Sequence, residues 1–347
     1  MNNQKEYLPA NILFLDKNSI NTMFVSLNQT LDVLKDSIRQ SINTQTMIVL
    51  TNTPDSVNSY KSYKLQLFFI LDYIQNTLSF KNIYLHTEQY LNEVINDIDS
   101  YKDKLKGLYV KSYGLCSEKP NSRLFDLYMV NTNLKVLNSK VNSIKPLELV
   151  IQTNVSCDFI QNISNTFGSE LWLLDYLFKL SMGGVSTIVL EADNSNNSYV
   201  YNIYKEITNQ AKFTYNIQNY YNIYNYKETN ILVINNTNTP NTINLDSTYS
   251  GKLYVFTSIS ENSQTNLYYG LSKNIDSLST NILTVEPKSA TIFKILKSGG
   301  AYFEDINNED EKNTIITVRP NQLSEEYDSI PTTMSVREFK NRFQPYM

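Results

Sequence analysis

The sequence predicts the α/β class: a parallel sheet of about six strands covered by helices, then a small antiparallel β-sandwich, then a C-terminal tail. Three observations carry this expectation. From residue 10 to about 210, short apolar runs alternate with longer amphipathic segments, the order of successive βα units. After about residue 225, strand-like runs continue but are separated by Asn, Thr and Ser turns with no helical period. From Lys297 to Met347 the chain mixes an acidic run, prolines and one short helical pattern near Val336 to Phe343. The corresponding divisions are residues 1–220, 221–296 and 297–347, the last read as an extension or partner-binding tail.

The parallel strands are expected at "NILFLD" (11–16), "MIVLT" (47–51), "NIYLHT" (82–87), "GLYVKSY" (107–113), "LELVIQT" (147–153) and "STIVLEA" (186–192). Each is a short apolar run ending in polar residues, as a strand buried on both faces reads. Between them, "YKLQLFFILDYIQNTL" (63–78) and "ELWLLDYLFKLSM" (170–182) repeat apolar residues at three- and four-residue steps and so predict helices. Gly183 and Gly184 fall between the second helix and its strand, where a C-cap accounts for them. The sandwich strands are expected at "TNILVIN" (229–235), "KLYVFTS" (252–258) and "SATIFKIL" (289–296).

Composition narrows the function classes. A chain of 347 residues with 41% apolar and 18% charged residues can bury a large core. Its net charge of -4, with Lys and Arg scattered, offers no basic face for phosphates, so nucleic acid is not an expected partner. Neither GxGxxG nor GxxxxGK[ST] occurs, which leaves no phosphate cradle. Two cysteines, Cys116 and Cys157, with one histidine, His86, exclude a disulfide framework and a Cys/His metal cluster, and no cofactor is expected. No apolar stretch of about 18 residues and no leader-like N-terminus is present, so membrane insertion is not expected and synthesis is expected in the cytoplasm. Heavy use of Asn, Ile, Lys and Tyr, with 26 Tyr against 9 Gly, points to AT-rich coding such as some viruses or protists show.

Parallel βα units present functional side chains at the C-terminal ends of their strands. Those ends read Thr51-Asn52-Thr53, Thr87-Glu88, Ser112-Tyr113, Gln152-Thr153-Asn154 and Glu191-Ala192-Asp193. Amides and hydroxyls are plentiful there, and carboxylates are few. Trp172 sits in an apolar helical stripe and reads as packing, and His86 has no nucleophile or metal partner in view and reads as structural.

Several of these motifs resemble the heparanase and β-glucuronidase family of retaining glycoside hydrolases. The segment from Leu147 to Leu190 is similar to the seventh and eighth strands of that family's barrel. There a strand ending Glu-Thr-Asn precedes a helix reading Thr-Phe-Ala-Ser-Ala-Leu-Trp-Ala-Leu-Asp-Tyr-Leu, and Asn165 to Leu177 carries the strongest match. "IVLTNTPDSVN" resembles the fourth strand, which ends Gly-Asn-Glu-Pro-Asp, "LYVKSYGLC" the sixth, and "NILTVEPKSATIFKI" the end of the C-terminal sandwich. The resemblance spans residues 10–296 and implies an incomplete (β/α) TIM-like barrel whose first two strands are missing, with "NILFLD" as the third.

Retaining glycosidases need two carboxyl groups about 5–5.5 Å apart. Thr53 stands where the family has its acid/base glutamate, and Gln152 stands where it has the nucleophile. A threonine hydroxyl does not titrate near neutral pH, and a carboxamide forms no glycosyl ester. The resemblance therefore implies an inactive homologue with vestigial positions Thr53 and Gln152, serving as a structural or interaction subunit of an assembly such as a virus particle. Its expected partners are other protein chains, filling the incomplete barrel or held by the tail. The alternative is a lectin-like module that binds a glycan through Asn52, Tyr113, Gln152 and Asn154. A third reading is an active enzyme with relocated acids, for which Glu88, Glu191 and Asp193 are the replacements at hand.

Overall fold

A computed structural model describes residues 5–15, 22–27, 31–41, 47–51, 60–86, 91–113, 147–155, 164, 166–191, 195–209, 211–216, 218–224, 228–258, 271–296, 315–317 and 333–335. After a short β1 (Glu6–Tyr7), seven strands form one sheet: β2 (Asn11–Leu15), β3 (Thr22–Ser26), β4 (Met47–Thr51), β5 (Ile83–His86), β6 (Gly107–Lys111), β7 (Glu148–Thr153) and β8 (Thr187–Glu191). Their order is β2-β8-β7-β6-β5-β4-β3, and every neighbouring pair is parallel.

The period of two sorts their side chains. Ile48, Leu50, Ile83, Leu85, Leu108, Leu149, Ile151, Ile188 and Leu190 join the large outer core under the helices. Met47, Val49, Tyr84, Tyr109, Val150 and Val189, with Leu15 against them, form a separate inner cluster. Phe24 of β3 meets Tyr109 of β6 edge-on with ring centroids 5.6 Å apart. In a flat sheet, strands three places apart lie ~14 Å from each other. The sheet is therefore curled into a barrel, and the inner cluster fills it.

The barrel is incomplete. Among the described residues β2 pairs only with β8 and β3 only with β4, which leaves a seam between β2 and β3 in the described sheet. This corrects the expected order in one respect. "NILFLD" is not the third strand: it lies beside β8, where the first strand of a closed barrel belongs, and the unforeseen β3, "TMFVS", takes the third place beside β4. The floor is tight where β6 begins. A Cβ on Gly107 would collide with the Glu148 carbonyl and the Tyr84 ring, and Tyr84 donates its hydroxyl to the Glu148 carboxylate at 2.8 Å.

Around the barrel run α1 (Leu31–Ser41), α2 (Tyr60–Leu78), α3 (Leu91–Asn96), α4 (Phe167–Met182) and α5 (Ser195–Thr208). Thr166 caps α4 by accepting the Ser169 amide at 3.3 Å, and Gly183 closes it, followed by Gly184 at φ 86°. Nearly every side chain of α4 is buried, because a second layer covers the side that a barrel helix normally shows to water. Phe178 touches Tyr204 of α5 and reaches Phe213 and Tyr221 of that second layer.

The second layer is antiparallel: β9 (Phe213–Asn216), β10 (Tyr220–Tyr224), β11 (Glu228–Asn235), β12 (Asn241–Thr257), β13 (Leu271–Val285) and β14 (Ser289–Leu296), in the order β1-β9-β10-β11-β14-β12-β13. Phe213, Tyr221, Ile223, Leu232, Ala290 and Ile292 face the helices and belong to the barrel's outer core. On the other face Ile231, Val233, Phe293 and Ile295 pack with Ile243, Leu245, Leu283 and Val285. The β12–β13 ladder shifts register between Asn244 and Tyr249, and such an irregularity bends a long hairpin. The expected strands at 229–235 and 289–296 lie within β11 and β14, and the one at 252–258 overruns the end of β12 by one residue. In the tail, β15 (Ile315–Thr317) and β16 (Thr333–Ser335) pair antiparallel with each other.

Candidate functional site

Alternation along β7 and β8 decides what reaches the mouth of the barrel. Val150 and Val189 point inward, so Gln152, Asn154 and Glu191 follow on the same face. From β6, Tyr109 points inward as well, and Tyr113 lies just past the strand end.

These side chains form one hydrogen-bonded network. Tyr109 donates its hydroxyl to Gln152 Oε1 at 2.8 Å. Gln152 Nε2 donates to Glu191 Oε1 at 3.3 Å, and the Tyr113 hydroxyl donates to the same oxygen at 3.4 Å. Asn154 Nδ2 donates to Glu191 Oε2 at 3.5 Å, while Asn154 Oδ1 accepts the Val155 amide at 2.8 Å. Ser112 and Tyr176 share a hydrogen bond of 3.1 Å, which ties the end of β6 to α4.

The chemistry of the donors fixes the orientation of the Gln152 amide. Burial, reinforced by Tyr113 and Glu191, holds the Tyr109 hydroxyl well above the usual phenol range, so it stays a neutral donor. It therefore needs the amide oxygen, and the carboxylate of Glu191 needs the amide N–H. Gln152 is 5% exposed and Asn154 is buried too, so both amides are spent inside the protein. What the network presents chemically is one carboxylate, Glu191, cradled by amide and phenol donors. Among the described residues no group of His, Cys, Asp and Glu could hold a metal ion.

Of the residues singled out from sequence, Tyr113, Gln152, Asn154 and Glu191 come together here. Asn52, Thr53, Glu88 and Asp193 lie outside the described residues. His86 is buried edge-on to Tyr109, with centroids 5.9 Å apart, and Trp172 is stacked on Tyr176 at 4.7 Å. Tyr109, which orients the network, was not foreseen. In the structure it sits opposite Val150, two residues before Lys111 meets Gln152, a register that the sequence alone does not state.

The buried tyrosines give the protein an alkaline limit. Burial pushes the hydroxyls of Tyr176 and Tyr204 up to about 12, against the opposing hydrogen bonds from Ser112 and Ser181. The folded state then keeps protons that the unfolded chain loses above about pH 10. This contribution is complete below that pH and is lost as pH rises towards 12. Circular dichroism with tyrosinate absorbance is expected to show unfolding and ionisation rising together across this window, with little change below it.

No family model matches the sequence, and no curated protein matches it. Solved structures share its architecture. A 4-O-α-L-rhamnosyl-β-D-glucuronidase from Fusarium oxysporum 12S superimposes with a TM-score of 0.59 and 14% identity, over 82% of this chain and 76% of that one. The GH39 enzyme from Xanthomonas axonopodis pv. citri gives 0.50 at 8% identity, over 82% of this chain and 78% of that one. Such likenesses establish fold alone, and the fold is glycoside-hydrolase-like.

Proposed function

We propose that this chain is a non-catalytic protein on a glycoside-hydrolase-like scaffold, working as a structural or interaction subunit of a larger assembly. The observation that carries this reading is Gln152. It occupies the place of the attacking carboxylate in the resemblance, and its amide is buried with one end bonded to Tyr109 and the other to Glu191. Thr53, at the place of the acid/base group, supports the same conclusion from sequence. An interaction role draws support from α2, whose solvent side carries Leu65 and Phe69, 60% and 57% exposed and one turn apart. That the assembly is a virus particle rests on residue usage alone. The lectin-like alternative needs Gln152 and Asn154 to face a sugar, and both are turned to Glu191 instead.

The test is turnover of aryl β-glucuronides and related aryl glycosides from about pH 4 to 8. The expected rate is the uncatalysed background at every pH. Hydrolysis by the purified chain that Glu191→Gln abolishes would overturn the proposal.

A further inference from the structure

One stripe of α2 faces away from the barrel. At ~100° per residue, Lys61, Leu65, Phe69, Asp72 and Asn76 fall within about 80° of one another around the helix. All five are exposed, while Tyr63, Leu67, Ile70, Leu71 and Ile74 on the other side are buried. Leu65 and Phe69 stand at the middle of the stripe and are, after Leu8, the most exposed large apolar side chains among the described residues. α1 lies alongside, with Lys35 Nζ 5.3 Å from the centre of the Tyr73 ring, and adds the exposed Val33.

The charges of α2 run against its own dipole. Its first turn holds Lys61 and no acid, and its last turn holds no base. A helix favours anions at its N-terminal end and cations at its C-terminal end. Along the stripe the cation precedes the apolar pair and the acid follows it. Asp72 pairs with Lys104 of its own chain through one carboxylate oxygen, yet its side chain remains 53% exposed. A surface in this order is complementary to a copy of itself turned end for end. With a two-fold axis at the level of Leu67, Leu65 of one helix meets Phe69 of the other. Lys61 stands ~9 Å to one side of that level and Asp72 ~7.5 Å to the other, at 1.5 Å per residue. Both lie on the same flank of the apolar pair, which the axis preserves, so each Lys61 arrives opposite an Asp72 and toward the negative end of the facing helix.

We infer that α2 is the contact between two copies of this chain, paired antiparallel across a two-fold axis. The inference rests on the interaction role given to this face above and names its partner. Such a contact is isologous, so the Lys61–Asp72 pair forms twice around one apolar centre. A single helix pair buries less surface than a standard interface, and association at roughly 10–100 µM is expected.

Sedimentation velocity of the full chain from about 1 to 200 µM tests this, with monomer expected at the bottom of the range and mostly dimer at the top. Leu65→Gln/Phe69→Gln is expected to weaken association at least about tenfold. A parent that stays monomeric throughout, or a variant that associates as tightly as the parent, overturns the inference. Lys61→Glu and Asp72→Lys each set like charges against one another, and each alone is expected to stay monomeric. Mixed one to one they are expected to associate as the parent does, because each chain then supplies the charge its partner lacks at both contacts. Association of either alone, or none in the mixture, overturns the inference. None of the four side chains belongs to the cores described above, so the variants keep the fold. Failure here is separable from failure of the non-catalytic reading: turnover of aryl glycosides bears on Gln152 and not on the dimer, and a monomer bears on α2 and not on Gln152.

Discussion

Replacing Lys179 with methionine is expected to destabilise the protein by about 3–5 kcal/mol, the cost of stranding a buried partner charge. Lys179 and Asp175 stand one turn apart on α4, with Nζ and Oδ2 2.6 Å apart and side chains only 8% and 9% exposed. Tyr221 donates its hydroxyl to the other carboxylate oxygen at 2.7 Å, which completes a small polar island between the helix and the antiparallel sheet. Removing the ammonium leaves Asp175 with the Tyr221 phenol as its donor at a position only 9% exposed. Set against a typical total stability of about 5–15 kcal/mol, this is a large fraction. The double variant Asp175→Asn/Lys179→Met is expected to recover most of it, because no charge is then stranded. Urea denaturation of the two variants measures the difference, and a single variant as stable as the parent would show that the pair is solvated.

Gln152→Glu is expected to cost about 3–4 kcal/mol at neutral pH, since a desolvated like-charged carboxyl can be pushed up by several units. The new group would stand in van der Waals reach of Glu191, at a site where the amide now donates at 3.3 Å, and at a position 5% exposed. The sign follows from proton uptake. The carboxyl pair of the folded variant retains a proton that the unfolded chain releases above about pH 4.3. The penalty is therefore absent in acid and grows by about 1.4 kcal/mol per pH unit until the folded pair ionises. Thermal melts of parent and variant should converge near pH 4 and diverge as pH rises. Under the non-catalytic reading proposed above, the same variant is expected to show no turnover of aryl glycosides, because a carboxyl at position 152 leaves Thr53 without a titratable proton.

Much of this architecture was legible because buried parallel strands announce themselves. "MIVLT" is β4 to the residue, and "LELVIQT" and "STIVLEA" overrun β7 and β8 by one or two residues. β3 was missed because "TMFVS" is a half-exposed edge between Asn- and Ser-rich stretches, so its apolar run is short. β13 was missed for a related reason: "LSKNIDSLSTNILTV" is an edge strand carrying charge and amide on its solvent side, which hides the period. At the mouth, Gln152, Asn154, Tyr113 and Glu191 could each be picked out as a strand end. Their convergence could not, because it depends on barrel curvature and on which face each strand turns inward. Tyr109 lies mid-strand, where a sequence reads an aromatic as core, and only its contact with Gln152 shows its second role.

The burial of α4 on every side has a thermodynamic consequence. One helix is the common wall of both layers: Leu173, Leu177 and Phe178 belong to the same apolar core as Ile151 of the barrel and Leu232 of the antiparallel sheet. Melting either layer would bare that wall to water, so the free energy of opening one is charged to the other, and heat is taken up by both together.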